Sequence, residues 1–290
     1  MKVTVIGVGL IGGSMVLDMR RRGLTDRVWG VDTNTENLKR AEQLRIVDEG
    51  KDLEEGCRDA DLVILAIPVK PAKRVLNQIL DAVGDHTLVI DVGSTKSGIC
   101  ETIGEHPHRK QFVACHPIAG TEFSGPDAAH EGLFKGKINI ICNAEESDPG
   151  CVERAGALFA QLGMTTTYMD AVEHDRHIAY VSHLSHITSF TLGLTVLDIE
   201  KDEKHIFNMA GSGFESTVRL AKSSADMWTP IFEQNRDNLL EALDAYREKL
   251  SVFREAIAHM DGEKVNRMIR QGNDIKRILE GIELRKKQDN

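Results

Sequence analysis

The chain has 290 residues, enough for about two domains, and its 41% hydrophobic and 28% charged content suits a chain that buries real cores. Its 36 Lys+Arg against 45 Asp+Glu leave a net charge of −9 without blocks of positive charge, which argues against nucleic acid and anionic membrane as partners. No apolar run approaches the ~18 residues of a membrane span. In chain order, short β-branched, largely apolar runs predict strands at 3–6, 28–31, 62–66, 88–90, 112–114, 138–141 and 165–168, with helix-like periodicity between them. Strands alternating with helices predict a parallel, doubly wound sheet covered on both faces. The first run begins at Val3, so no targeting segment is expected. Beyond about residue 170 the strand signal stops. Helices are expected at 173–197, 217–223, 228–260 and 263–284, followed by a frayed charged tail at 285–290. Leu239, Leu243, Tyr246, Leu250, Phe253, Ile257 and Met260 alternate spacings of four and three. That seam suits either packing inside one chain or a dimer interface. Cys57, Cys100, Cys115, Cys142 and Cys151 are odd in number and lack CxxC spacing, so the expectation is a reduced, cytoplasmic protein.

The first strand runs into Gly7-Val8-Gly9-Leu10-Ile11-Gly12, a GxGxxG turn leading into a helix. Gly7 suits the tight turn, Gly9 close approach of backbone to a pyrophosphate, and Gly12 tight helix–strand packing, while the helix N-terminus offers free N–H groups to phosphate. Asp32 ends the second strand where a ribose-binding acid belongs, and Thr33-Asn34-Thr35 follows without an arginine. A carboxylate there would repel a 2′-phosphate, so NAD is favoured over NADP.

Ser94 and Lys96 follow the strand at 88–90, and His116 follows the strand at 112–114 in His116-Pro117-Ile118-Ala119-Gly120-Thr121-Glu122. Carboxyl ends of such strands face the ligand crevice. A histidine there, with an ordinary pKa near 6.5, suits a general base. His174, His177, His183 and His186 invite a metal, but on one straight helix His174 and His183 would lie about 180° apart, so no metal is expected. Gly211-Ser212-Gly213-Phe214 leads into a helix bearing Arg219, with Trp228 beyond, a pattern suited to binding a carboxylate.

Taken together, the GxGxxG turn, Gly93-Ser94-Thr95-Lys96, the 116–122 segment, Glu173-His174-Asp175 with Ser182-His183-Leu184-Ser185-His186, and Gly211 to Trp228 resemble the prephenate/arogenate dehydrogenase family. The resemblance implies an α/β Rossmann-type NAD-binding domain over 1–170 and an all-α substrate and dimerisation domain over 171–290, forming a homodimer. It implies oxidative decarboxylation of prephenate to 4-hydroxyphenylpyruvate in tyrosine biosynthesis. By motif, His116 would accept the ring hydroxyl proton and Ser94 would orient that hydroxyl. Arg219 would bind a carboxylate with help from His186, Thr121 and Glu122 would lie at the pocket mouth, and His183 and Trp228 would line the pocket. Gly7, Gly9, Leu10, Ile11, Gly12 and Asp32 would hold NAD. Relatives often carry Lys-Asp where this chain has Glu215-Ser216, so an ionic contact made through that acid is in question here. Val172, where some arogenate-using relatives carry an acid, favours prephenate over arogenate. The rivals are a Rossmann-plus-helical β-hydroxyacid-type dehydrogenase, which generally uses a helix-borne lysine, and a non-catalytic NAD sensor.

Overall fold

In the computed structural model, which describes residues 1–200 and 206–288, each predicted β-branched run forms a strand. The strands and helices alternate as β1 (Lys2–Ile6), α1 (Leu10–Arg21), β2 (Arg27–Val31), α2 (Thr35–Gln43), β3 (Glu49–Gly50), α3 (Leu53–Arg58), β4 (Leu62–Leu65), α4 (Val69–Ala82), β5 (Leu88–Asp91) and α5 (Ser97–Ile103). Then come β6 (Phe112–Pro117), β7 (Ile138–Cys142), α6 (Pro149–Gln161) and β8 (Thr165–Met169). Asn34, Asp52, Asp148 and Asp170 each accept backbone N–H groups at a helix start, the capping role that short polar side chains fill.

The sheet order is β3-β2-β1-β4-β5-β6-β7-β8. The order reverses between β1 and β4, which places the carboxyl ends of β1, β4 and β5 around one crevice. Val3, Val5, Ile64 and Ile90 face α1 and α6, whereas Ile6, Val63, Leu65 and Val89 face α4 and α5, so the strands are apolar on both sides because both sides are covered.

One pairing departs from the expected parallel sheet: β7 runs antiparallel to β6. A parallel return needs a crossover to the far end of the sheet. The 118–137 connection holds only a 3-10 turn, Pro126–Ala128, and docks on α1 through His130 N donating to Ser14 Oγ and Gly132 N to Asp18 Oδ1. The chain therefore re-enters the sheet beside Pro117, where it left. The Glu49–Gly50 strand was not predicted; two residues carry no alternation to read.

The second half is helical: α7 (Ala171–Ile178), a π-helical turn (Ala179–His183), α8 (Leu184–Glu200), α9 (Ser212–Val218), α10 (Ala225–Gln234), α11 (Arg236–Ala258) and α12 (Gly262–Gln288). The helix predicted over 228–260 is thus two helices that meet at Asn235, and the one over 173–197 is interrupted by the π turn. The tail predicted from 285 continues α12 to Gln288; Asp289 and Asn290 lie outside the described residues. Contacts divide the chain into Met1–Arg236 and a second unit beginning at Asp237. Within that second unit Tyr246, Leu250 and Ile257 of the predicted seam are exposed, as are Ile269, Ile275, Ile278 and Leu279 of α12. No helix among the described residues is long and apolar enough to cross a membrane.

Candidate active site

At the end of β1 the backbone turns at Gly7, whose φ is +93° and where an added Cβ would sit 2.4 Å from the Ala66 carbonyl oxygen. A Cβ on Gly12 would meet Gly7 O at 2.3 Å, so side chains are excluded at both positions. Gly9 differs: its Cβ direction is open, and it begins α1 without a side-chain cap. Among the described residues no side chain accepts the first N–H groups of Leu10 and Ile11. Asp32, at the end of β2, accepts the Val8 N–H at 3.2 Å and the Asn34 N–H at 2.8 Å, which draws its carboxylate to this turn. An uncapped helix start, an open glycine and a nearby carboxylate fit pyrophosphate and ribose of NAD.

Next along the sheet edge, β5 ends in Asp91 and β6 carries His116. The ammonium of Lys96, fully buried, bonds the Asp91 carboxylate and the Cys115 carbonyl, the latter at 2.7 Å. Burial pushes the Asp91 carboxyl up, while the Lys96 ammonium and the N–H groups of Gly93 and Cys115 pull the other way. This pair pins the end of β6 just before His116.

His116 is buried, and its Nδ1 lies 2.8 Å from His174 Nε2. His174 Nδ1 in turn lies 2.8 Å from Asp175 Oδ1. Asp175 also accepts the N–H groups of Lys96 at 2.7 Å and Ser97 at 2.9 Å, at the start of α5. Burial by itself would raise the Asp175 carboxyl, but the His174 bond and the two amides outweigh it and hold the group below its ordinary range. The ionised carboxylate accepts only, so His174 donates from Nδ1, and as a neutral ring it has its lone pair on Nε2. His116 must then donate from Nδ1, and its Nε2 is left with a lone pair. Burial, then His174, Lys96 and His183, push the His116 pKa well below 6.5. The result is a neutral base aimed by a two-step relay, the arrangement general-base catalysis needs.

The π turn brings His183 into the same site. Each π turn takes about one residue more than an α turn, which rotates the remainder of the helix by ~100°. The straight-helix argument that set His174 and His183 on opposite faces therefore fails, and His183 is close enough to His116 to depress it. His183 is fully buried, and burial lowers its pKa to about 4. Its ring meets Trp228 edge-on with centroids 5.8 Å apart, and His186 stacks on Trp228 at 3.5 Å. Among the described residues His183 Nε2 and Trp228 Nε1 are buried without a hydrogen-bond partner. A buried orphan polar group costs about 1–3 kcal/mol, so Trp228 Nε1, which only donates, suits an incoming acceptor, and His183 Nε2 suits an incoming polar partner. His186 Nδ1 lies 3.0 Å from the Ser182 carbonyl, so neutral His186 donates there and keeps a lone pair on Nε2.

Arg219 begins the 3-10 turn after α9, is exposed, and lies 3.9 Å from Glu122 and close enough to His186 to lower its pKa. Among the described residues its ionic partner is Glu122. Ser94 is half-buried without a side-chain bond among the described residues, and Thr121 Oγ1 accepts the Phe123 N–H at 3.2 Å. The structure therefore groups His116, His183, His186, Trp228, Arg219 and Glu122, and among the described residues the hydroxyls of Ser94 and Thr121 bond to none of them. Sequence reasoning missed the roles of His174 and Asp175, although both stood in a quoted motif. Adjacent residues on a helix announce no shared partner, and theirs lie across the fold on β6 and α5.

The sequence model described as "Prephenate dehydrogenase, nucleotide-binding domain" matches residues 15–168, and that of the "Prephenate dehydrogenase, dimerization domain" matches residues 170–271. The prephenate dehydrogenase of Bacillus subtilis strain 168 is 31% identical over 99% of this chain and 78% of its own length. The crystal structure of Aquifex aeolicus prephenate dehydrogenase with hydroxyphenyl propionate and NAD+ is 31% identical, covers 96% of this chain and 97% of its own, and has a TM-score of 0.86. Synechocystis arogenate dehydrogenase is 27% identical over 96% of this chain and all of its own, with a TM-score of 0.77. With both domain models matched in order and relatives of this likeness over nearly its full length, the chain belongs to the prephenate dehydrogenase family.

Proposed function

We propose that this chain catalyses the NAD-dependent oxidative decarboxylation of prephenate to 4-hydroxyphenylpyruvate, the step that serves tyrosine biosynthesis. The observation that carries the chemistry is the His116–His174–Asp175 relay, which leaves one neutral, buried base at the end of β6, on the edge where β1 presents the dinucleotide turn. Prephenate bears a hydroxyl on C4 of a cyclohexadiene and a carboxylate on C1. When bound, NAD+ supplies the acceptor for the C4 hydride. His116 takes the hydroxyl proton on Nε2, which makes C4 a carbonyl carbon as its hydride departs; loss of CO2 from C1 sends its electron pair to the C4 oxygen, which takes the proton back as the ring becomes aromatic. Ser94, whose hydroxyl bonds no protein group among the described residues, orients the substrate hydroxyl. His183 and Trp228 donate to substrate oxygens. Arg219 grips a carboxylate beside Glu122, with His186 next to it; as a neutral ring His186 accepts, so its help to an anion requires protonation. Thr121 belongs to the mouth. Gly7, Gly9, Leu10, Ile11, Gly12 and Asp32 hold the cofactor.

The same reading divides the chain at 170/171 and makes it a cytoplasmic homodimer without nucleic-acid or membrane partners. The exposed apolar positions of α11 and α12 and the matched dimerisation model support the dimer, and the −9 charge supports the absence of polyanion partners. Arogenate is the second reading, favoured by the likeness to Synechocystis arogenate dehydrogenase. Val172 is exposed in a cleft it shares with Ser97, Cys100, Arg109 and Glu146, and the absence of an acid at that position supports prephenate over arogenate. Purified protein mixed with prephenate or arogenate and NAD+ or NADP+, followed by absorbance of the reduced nicotinamide, tests all four pairs. Signal with prephenate and NAD+ is expected. Silence from every pair overturns the dehydrogenase reading, and signal with arogenate alone reverses the substrate.

A further inference from the structure

Asn235 stands between α10 and α11, where the sequence predicts unbroken helix, and its side chain is buried beneath the histidine cluster. Its Nδ2 donates to the backbone carbonyl of Asp175 at 2.6 Å and lies 3.1 Å from Nδ1 of His183. A peptide carbonyl only accepts, so the atom facing Asp175 is the amide nitrogen and not the amide oxygen. That nitrogen has two hydrogens: one goes to Asp175 and the other to His183. His183 Nδ1 must therefore be a lone pair, and the ring's proton sits on Nε2, the atom left without a partner among the described residues.

We propose that Asn235 is a positioning residue for the substrate pocket, whose amide locks His183 in the Nε2–H tautomer so that the imidazole offers a donor to an oxygen of the bound substrate. This rests on the reading of the pocket as a prephenate site. Apart from the C4 hydroxyl, which goes to His116, every oxygen of prephenate is a carboxylate or keto oxygen and only accepts. The opposite tautomer would set lone pair against lone pair. The same amide also bonds the residue that ends the His116 relay, so one side chain ties the donor side of the pocket to the base side.

The test is 15N NMR of the full-length protein labelled at histidine ring nitrogens, with the His183 signals assigned by their loss in His183→Gln. A protonated Nε2 with a bare Nδ1 is expected in the unaltered protein. Asn235→Asp replaces the donor by an acceptor, so His183 should move its proton to Nδ1. The KM for prephenate should then rise about 10- to 100-fold with a much smaller change in kcat, the loss of one hydrogen bond to a charged group. A proton on Nδ1 in the unaltered protein overturns the proposal even if the variant fails to fold, and so does an unchanged KM in a folded Asn235→Asp. A protein that shows the Nε2–H tautomer but turns over no prephenate supports the lock and overturns the functional reading instead.

Discussion

Asp175→Asn removes one carboxylate oxygen from the end of the His116 relay, where the wild-type group accepts three hydrogen bonds. In one orientation the new NH2 faces the Ser97 N–H. A backbone bond of 2.9 Å is lost, and the His174 contact becomes neutral. A bond to a charged group is worth about 1.5–3 kcal/mol against 0.5–1.5 for a neutral one, so protonated His116 loses about 1 kcal/mol of support, or roughly fivefold in kcat. In the other orientation the NH2 donates to His174 Nδ1. Both imidazoles then reverse, and His116 presents N–H where it needs a lone pair. Tautomer inversion of this kind in a serine protease costs about 10⁴ in kcat. The expected loss thus lies between about 5- and 10⁴-fold, with Tm lowered by the unpaired amide at the start of α5. Initial rates of nicotinamide reduction with saturating prephenate and NAD+, alongside a melting curve, measure both. A kcat within about twofold of the unaltered protein would refute the relay.

His116→Asn should lower kcat by about 10²–10⁴ with little change in KM, since it removes the base and little ground-state binding; an unchanged kcat removes His116 from the chemistry. Because burial holds the His116 pKa below 6.5 and only the neutral ring accepts a proton, log kcat/KM should rise with pH and level off below pH 6.5. An acid limb centred above pH 6.5 would contradict the burial argument. Arg219→Ala should mainly raise the KM for prephenate, and calorimetric titration with a non-reacting aromatic carboxylate should show weaker binding; equal affinity argues against the carboxylate grip. Gly9→Val should fold normally, because its Cβ direction is open, yet lose NAD affinity, whereas Gly12→Val should lower Tm because its Cβ lies 2.3 Å from Gly7 O. Titration of NAD+ against protein fluorescence with parallel melting curves separates the two, and normal NAD binding by Gly9→Val would move the cofactor elsewhere.

Much of the fold was legible because buried parallel strands must be apolar on both faces, and runs such as 62–66 and 112–114 say so directly. Direction is another matter: alternation along β7 does not encode it, and the 118–137 connection, which holds no crossover helix and docks on α1, returns the chain antiparallel. The turn at Gly7 and the base at His116 could be read because strand ends in such a sheet face the crevice. The relay could not, since it depends on Asp175 reaching α5 from another part of the chain. Nor could the π turn, a backbone register shift that leaves the side-chain pattern of Ala179–His183 looking like ordinary helix. The break at Asn235 was hidden for a similar reason: the apolar spacing continues through it.

Lys96 joins three parts of the site at one residue: its N–H holds Asp175, and its ammonium holds Asp91 and the carbonyl before His116. The two ends of the relay, borne by β6 and α7, are thus measured from a common origin. Moving β6 relative to α7 would have to break a bond to Lys96, so the spacing between base and carboxylate is held through a single residue.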